Sequence, residues 1–572
     1  MQGVCELPVL RCGRRIAYPG SMWFWMQEFN DVRKRFLLGS NGVDVVADVH
    51  LRTSQGWGTG IRLDKFSQWR FVRGPWQFSS RMSPEKNVAW QIELPGYGQS
   101  SPVVLSGRVF VCSVIGPQKE ECCVSCLELG SGKVLWTYRQ AAAVTGPSNY
   151  SAARSAPTPV VDARAAYCFF EGGDIVALSH TGELLWKRNL AADYGPFLNN
   201  HGLGSSPTQT DDLVILNLEH RGPSCLLALQ KQTGATAWRA ERPSGSSWTS
   251  PIVAEINGEQ QVIVSSAGSV TAWSPLDGTR LWTVGGLAGN SVPSPAAVDS
   301  RLFVGARVPE FGSTQDAAQS NLCLSLGGNP GQAPAVLWRA SKSFCDYASP
   351  VVNGSYVYYL NNVGVLSCLQ TDTGRLEYME RLGTTCWATP VVAGPYTWFF
   401  GKDGSTHVVK GGASFERVSV NLLWDPVNPP KPESYREGEG SAYGPPAATE
   451  NGRIGGVADA PSDPAKAPAE GRRGGPATGM LAMLMKADAN ADGLISEQEL
   501  PAEFREMLPR VDLNGDKSID GAEMKSMEES FRKRREGSRE SARDPIVYGV
   551  AAADGNFVIR TGTRIYCVRT DN

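Results

Sequence analysis

Between residues 488 and 523, oxygen-bearing side chains recur at alternate positions in two stretches of twelve residues. The first, Asp488–Glu499, reads D-A-N-A-D-G-L-I-S-E-Q-E. Asp488, Asn490 and Asp492 offer side-chain oxygens from alternate residues, and Leu494 offers its backbone carbonyl. Ser496 is placed to hold a bridging water and Glu499 to close the shell with both carboxylate oxygens. A shell of hard oxygen donors of this size suits Ca2+. Gly493 permits the positive φ such a loop needs, and Ile495 is placed to pair with a partner loop. The second stretch, Asp512–Glu523, reads D-L-N-G-D-K-S-I-D-G-A-E. Here Asp512, Asn514, Asp516, Ser518, Asp520 and Glu523 take the ligand places. Lys517 stands where glycine is expected, at a cost of about 1–2 kcal/mol, so the second loop is expected to bind more weakly.

Loops of this spelling are EF-hand loops, which need a helix on either side. Met480, Leu481, Met483 and Leu484, then Leu500, Phe504 and Leu508, then Met524, Met527 and Phe531 recur at spacings of three and four. That is the period of one apolar stripe per helix. Ser496 and Glu499 have capping-box spacing, so the exit helix is expected to start where the ligand shell ends. This α-helical pair, residues 480–540, follows a Pro/Gly/Ala-rich linker over 425–479. The linker's composition does not pack, and a disordered region is expected there.

Most of the remaining chain is one recurring sentence, clearest from Ser101 to Trp136: S-P-V-V-x-x-G-x-V-F, then L-x-x-x-x-G-K-V-L-W. Openings fall at Ser101-Pro102, Thr158-Pro159, Ser206-Pro207, Ser250-Pro251, Ser294-Pro295, Ser349-Pro350 and Thr389-Pro390. Endings fall at Trp136, Trp186, Trp238, Trp282, Trp338, Tyr378 and Trp424. A repeat of roughly forty to fifty residues with short strands predicts the blades of a propeller. Trp90 is an ending without a beginning, and Val547–Arg569 supplies three strands without a fourth. Joined, they make one blade stitched from both ends of the ring. The expectation is an all-β, eight-bladed β-propeller over 67–424 and 545–572, with a small α-helical EF-hand insertion. Residues 1–66 show no helix or strand period and are expected to be irregular, an upstream extension of the natural start. Inner strands line a propeller's axis, so the residues just ahead of them ring one mouth of the channel. Arg154, His201, Trp248, Tyr347 and Trp387 fall there and form a candidate ligand funnel, with Asn199 and Asn200 nearby.

The 572 residues are 41% hydrophobic and 20% charged, with 62 glycines and 37 prolines, as suits a turn-rich globular β protein. A formal charge of −2 argues against nucleic acid as a partner. No apolar run approaches the length of a membrane span. The thirteen cysteines fall largely where small apolar residues belong in strands and are expected to be buried free thiols. Cys123 and Cys126 form a C-x-x-C, but on a strand their side chains face opposite sides, which does not suit redox or metal chemistry.

The repeat ending resembles the pyrroloquinoline-quinone-type (PQQ-type) propeller repeat, A-L-D-x-x-T-G-x-x-x-W. The matching residues are Ala228-Leu229 with Thr233-Gly234 and Trp238, Ala177-Leu178 with Thr181-Gly182 and Trp186, and Thr373-Gly374. The chain is similar to planctomycete-type secreted propellers, some carrying EF-hands, and more distantly to the propeller lipoprotein that assembles outer-membrane proteins. The resemblance implies a quinoprotein-like fold and a periplasmic or secreted location. It also implies a role as a calcium-binding scaffold for a protein, small-molecule or polysaccharide ligand. The alternative it leaves is a PQQ-dependent alcohol or sugar dehydrogenase. Such enzymes pair the quinone with a calcium, a catalytic Asp and a vicinal disulfide. The vicinal pair Cys122–Cys123 sits at the start of a third strand, away from the axis, and no Glu/Asn/Asp set is evident. Ca2+ is therefore the expected ion, and PQQ is not expected.

Overall fold

The computed structural model describes residues 83–146, 153–199, 201–309, 312–328, 332–425, 430 and 546–569, parts of 492–500 and 516–524, and the backbone of four strands between 16 and 48. The linker and most of the helical pattern expected over 480–540 lie outside the described residues. The chain divides into two units, Met1–Trp69 and Arg70–Asn572.

The first unit corrects the expectation of an irregular segment. Ile16–Ala17, Trp23–Gln27, Arg35–Ser40 and Val43–Asp48 form a four-stranded antiparallel sheet in chain order. Ser40 pairs with Val43 across Asn41-Gly42, a dipeptide that favours two-residue hairpin turns.

In the second unit, eight four-stranded antiparallel sheets follow one another around a ring. The first comprises Val103–Leu105, Arg108–Ile115, Glu121–Glu128 and Val134–Ala141, in that order from the inside outward. Six more repeat the order over 160–189, 208–242, 252–284, 296–339, 351–381 and 391–422. The eighth joins Gly549–Ala553, Asn556–Arg560 and Arg564–Arg569 to Val88–Glu93, with Cys567 opposite Trp90. The blade expected from both chain ends is thus formed by direct strand pairing.

The second and third strands are apolar on both faces because each blade is sandwiched between two others. The core accordingly lies between blades. Tyr167 and Phe169 of the second pack with Leu216 and Leu227 of the third. Val109 and Val111 of the first pack with Val558 and Ile565 of the eighth, which closes the ring. Outer strands face solvent, and in Val134–Ala141 half-buried and exposed residues alternate.

Two seams explain the repeated letters. Before five of the opening prolines, the Ser or Thr accepts a backbone N–H from the equivalent residue of the preceding blade. Ser101 N–H donates to Thr158 Oγ1 at 2.9 Å, Thr158 to Ser206 Oγ at 3.0 Å, Ser206 to Ser250 at 2.9 Å, Ser250 to Ser294 at 2.9 Å and Ser294 to Ser349 at 3.1 Å. Where the ring closes, the place is taken by Gly549, whose missing Cβ leaves room for the Ser101 side chain.

The outer seam is a tryptophan clamp. Indole N–H groups of Trp90, Trp136, Trp186, Trp238 and Trp338 donate to carbonyls of the next blade, at Leu129, His180, Lys231, Pro275 and Thr371, all at 2.8–2.9 Å. The turn glycine of that next blade lies flat on the indole, at Gly132, Gly182, Gly234, Gly278 and Gly374. Each third strand carries a bulge just after the residue facing the clamp position, for example between Cys126, opposite Trp136, and Leu127. The seventh ending differs from expectation: Val408 faces Ser419, not Trp424, and the Trp424 ring lies instead on Gly404 of its own blade. Without a clamp there, Trp398 packs against Phe557 of the eighth blade, with ring centroids 4.7 Å apart.

Candidate functional site

The connections ahead of the inner strands are hydrogen-bonded to the ends of second strands, which places both on one face of the ring. Tyr97 exchanges backbone hydrogen bonds with Val114 at 2.8 and 2.9 Å. Arg307 N–H donates to Gly289 C=O, Lys402 N–H to Thr385 C=O and Tyr548 N–H to Arg560 C=O. The five funnel residues lie on these connections, but they are not equivalent in exposure. Arg154 is buried, its guanidinium carbon 3.5 Å from the centroid of the Tyr97 ring. Tyr347 is 41% exposed. Trp248 and Trp387 are half-buried and His201 is exposed.

The structure sorts them into two groups. His201 pairs with Trp248 at 5.7 Å between centroids, and the Trp248 indole N–H is held by Gly202 C=O. Tyr347, Trp387 and Tyr548 form a continuous track, with 5.5 Å between neighbouring centroids. Tyr548 then meets Tyr97 edge-on, their hydroxyls 2.8 Å apart, and Tyr97 carries Arg154 on its face. Two further cations lie over this track, Arg307 at 5.9 Å from the Tyr347 centroid and Lys402 at 4.5 Å from that of Trp387. Burial holds the Lys402 ammonium below the ordinary lysine pKa. Burial also raises the Asp346 carboxyl, against the lowering pull of the Asn362 N–H and Arg307.

Tyr97, Tyr548, Arg307 and Lys402 escaped the sequence reading. Tyr97 precedes Ser101 by the same four residues that separate Arg154 from Thr158, a signal available in the text. Arg307 and Lys402 sit past the ends of second strands, and only strand register brings those positions to the mouth.

Elsewhere on the mouth, charges are neutralised internally. Lys119 pairs with Glu171 at 3.2 Å, and Glu171 also accepts the Ser155 N–H. Arg242 and Glu219, 2% and 1% exposed, pair at 3.2 Å, and the guanidinium also donates to Thr271 Oγ1 and Ser266 Oγ. The described cysteines are buried free thiols, Cys122, Cys123 and Cys126 among them, and burial pushes the Cys126 thiol up to about 12.

Within the insert, Ile495–Ser496 and Ser518–Ile519 form a two-stranded antiparallel bridge, with Ile495 opposite Ile519. Both isoleucines and Leu500 are buried. Asp492 Oδ1 accepts the Leu494 N–H at 2.8 Å, and Asp516 Oδ1 accepts the Ser518 N–H at 2.8 Å. Glu499 and Glu523 accept the N–H groups of Ser496 and Asp520, each at 3.0 Å. Lys517 holds φ +65°, the left-handed conformation its place in the loop demands. Asp488, Asn490, Asp512 and Asn514 lie outside the described residues. Among the described residues no three metal-ligating His, Cys, Asp or Glu side chains are gathered together, and no helix is long and apolar enough to cross a membrane.

Residues 82–196 and 196–322 match the profile of a family described as outer membrane protein assembly factor BamB. No curated protein sequence matches the chain. Among solved structures, BamB from Moraxella catarrhalis aligns over 59% of this chain and 90% of its own, at 17% identity and a TM-score of 0.43. Quinohemoprotein alcohol dehydrogenase from Comamonas testosteroni aligns over 58% and 74%, at 13% identity and a TM-score of 0.32. A europium-containing methanol dehydrogenase aligns over 57% and 86%, at 12% identity and a TM-score of 0.30. The profile match spans the closing strand and first four blades and runs into the fifth. The same seams continue beyond it through Ser349 and Gly374, so the repeat runs around the ring and the fold is a PQQ-like β-propeller.

Proposed function

We propose that this chain is a binding scaffold whose propeller mouth engages a partner and whose insert binds Ca2+. The observation that carries the first half is the track Tyr347–Trp387–Tyr548–Tyr97 with its cations, on one face of the ring. Aromatic and guanidinium groups dominate the energetics of recognition sites, and here they span connections ahead of four blades. Trp248→Ala combined with Trp387→Ala leaves the fold intact and abolishes binding at the mouth. Unchanged affinity for a ligand located there by cross-linking would refute that half.

For the insert, the donor chemistry fits calcium. Asp492, Ser496, Glu499, Asp516, Ser518, Asp520 and Glu523 offer only oxygen, and the Ile495–Ile519 bridge joins the two loops back to back. Asp488, Asn490, Leu494, Asp512 and Asn514 complete the proposed shells. Calcium would supply a fixed positive centre that orders both loops, so its binding energy is folding energy for the insert. Calorimetry on the full chain, against the Glu499→Gln/Glu523→Gln variant, tests this. Absence of calcium heat at millimolar ion would sink it. The family description, an outer membrane protein assembly factor, supports a cell-envelope location, periplasmic or secreted, with protein or polysaccharide as partner. Fractionation of native cells checks it.

A further inference from the structure

We propose that the mouth sector between the fifth and seventh blades docks an acidic peptide segment of a partner protein. In this arrangement one carboxylate sits on Lys402, a second on Arg307, and the side-chain stems lie on Trp387 and Tyr347. The proposal rests on the mouth being a binding surface and names the chemistry of what it takes.

Both cations are half-buried, and neither makes an ion pair among the described residues. Each lies over an aromatic face, which offsets part of its desolvation. The face leaves the outward hemisphere of the cation open to an anion. The carboxylates nearby are already committed. Asp346 accepts the Asn362 N–H at 2.7 Å. Asp403 accepts from Thr384 Oγ1 at 3.0 Å and from the Ser405 N–H and hydroxyl at 3.0 and 2.6 Å. Glu171 and Glu219 are engaged by Lys119 and Arg242. Asp346 lies near enough to Arg307 to feel its charge, whereas burial alone acts on Lys402, so an incoming carboxylate is drawn first to the Lys402 ammonium.

The backbone positions of these cations are fixed. Lys402 is tied by its N–H to Thr385 C=O and by its C=O to Val547 N–H, and Arg307 by its N–H to Gly289 C=O. A recessed ammonium is reached by a carboxylate on a methylene stem, as in Glu. A uronate carboxyl, attached directly to its pyranose, would have to bring the whole ring past Tyr347. Methylene stems on Tyr and Trp, with carboxylates on Arg and Lys, are the pairings that anchor protein interfaces.

The test uses the full chain and fluorescence anisotropy of a short fluorescein-labelled peptide of alternating Glu and Ser. Gln/Ser and Lys/Ser peptides and an oligouronate serve as comparisons. The variants are Lys402→Met/Arg307→Met, which keeps the stems, and Lys187→Met, which removes an exposed cation from the outer strand Leu184–Asn189. Circular dichroism confirms that each variant folds. The expected result is binding of the Glu peptide alone, weakened by salt. The double methionine variant lowers affinity at least about tenfold and flattens the salt dependence, while Lys187→Met leaves it unchanged. Equal binding by wild type and the double variant, or no binding of the Glu peptide, overturns the proposal. Preferential oligouronate binding that the double variant abolishes overturns the peptide assignment and keeps the mouth reading. A mouth ligand indifferent to Trp248→Ala/Trp387→Ala takes down the mouth reading itself.

Discussion

Two glycines of the sixth blade offer a controlled test of the clamp. Gly354, in the turn between Val351–Asn353 and Tyr356–Leu360, has φ +58° and open space where a Cβ would go. Gly374 has φ +68°, but its Cβ would lie 2.6 Å from Cδ2 and 2.7 Å from Cγ of Trp338. Alanine at either position meets the same left-handed backbone, at about 1–2 kcal/mol. Only Gly374→Ala must also displace the indole. Trp338 is 7% exposed and its N–H is bound to Thr371 C=O at 2.8 Å, so the ring cannot retreat without losing packing and that bond. Overpacking adds about 1–3 kcal/mol and the strained hydrogen bond about 0.5–1.5 kcal/mol. Gly374→Ala should therefore cost roughly 2.5–6.5 kcal/mol and Gly354→Ala about 1–2 kcal/mol. Urea unfolding followed by tryptophan fluorescence gives the comparison, with midpoints compared where the slope is unchanged. A cycle with Trp338→Ala isolates the contact, since in that background the Gly374→Ala excess should vanish. Equal costs at the two glycines, or an excess that survives Trp338→Ala, would refute the clamp.

Ser250→Ala removes the acceptor of the Ser206 N–H and should lower stability by about 1–3 kcal/mol, while Ser250→Thr should not; thermal unfolding distinguishes them. Arg242→Met alone strands the buried Glu219 carboxylate, at about 3–5 kcal/mol, whereas Arg242→Met/Glu219→Leu should be close to neutral in denaturant titrations. His407 is buried, and burial, then Arg417, hold its imidazole below 6.5, against the smaller raising pull of Asp403. The unfolded chain takes up a proton there before the folded one does. This contribution to stability is therefore whole above pH 6.5 and falls away as pH drops through the folded value. His407→Gln should flatten that segment of the Tm-against-pH curve. Lys517→Gly relieves the left-handed strain at φ +65°. If the loop adopts that conformation on taking up calcium, affinity at the second loop rises about 5- to 30-fold, the equivalent of 1–2 kcal/mol; calorimetry that shows no gain counts against it.

The ring was legible because each repeated letter does one chemical job at a fixed offset. A serine hydroxyl accepts the N–H of the preceding blade, a glycine turns with positive φ beneath an indole, and the indole reaches a carbonyl one blade on. Where the job is done by other residues, the letters misled. Ser419 faces Val408 in the place assigned to Trp424, and Tyr378 packs edge-on against Phe415 without a turn glycine beneath it. The mouth was half legible for a related reason. Trp248, Tyr347 and Trp387 each stand two residues before an opening Ser or Thr, so spacing finds them. Arg307 and Lys402 enter the mouth through strand register, which sequence offsets do not encode. Residues 16–48 lack a repeating partner altogether, so no period marked their pairing.

The same register explains why the chain tolerates 120 residues between Asp425 and Ile546. Each blade's outer strand ends on the face where the next inner strand begins, so the crossing between blades belongs to no ladder. Lengthening it removes no interstrand hydrogen bond, and loop-closure entropy grows only slowly with length. Both flanks are held independently of what lies between them. Leu423 is bonded to Gly404, Val547 to Lys402, and Tyr548 to Arg560 and, through its hydroxyl, to Tyr97. The returning flank is also the part of the mouth where Trp387 and Tyr548 meet. The returning flank Ile546–Tyr548 thus leads directly onto the aromatic track. That connection makes the mouth, rather than the outer rim, the place where a calcium-dependent change in the insert should first be read. Tryptophan fluorescence of the full chain, compared with Trp387→Phe, should register calcium addition through that ring. An identical calcium response in the two proteins would show that the insert and the mouth act independently.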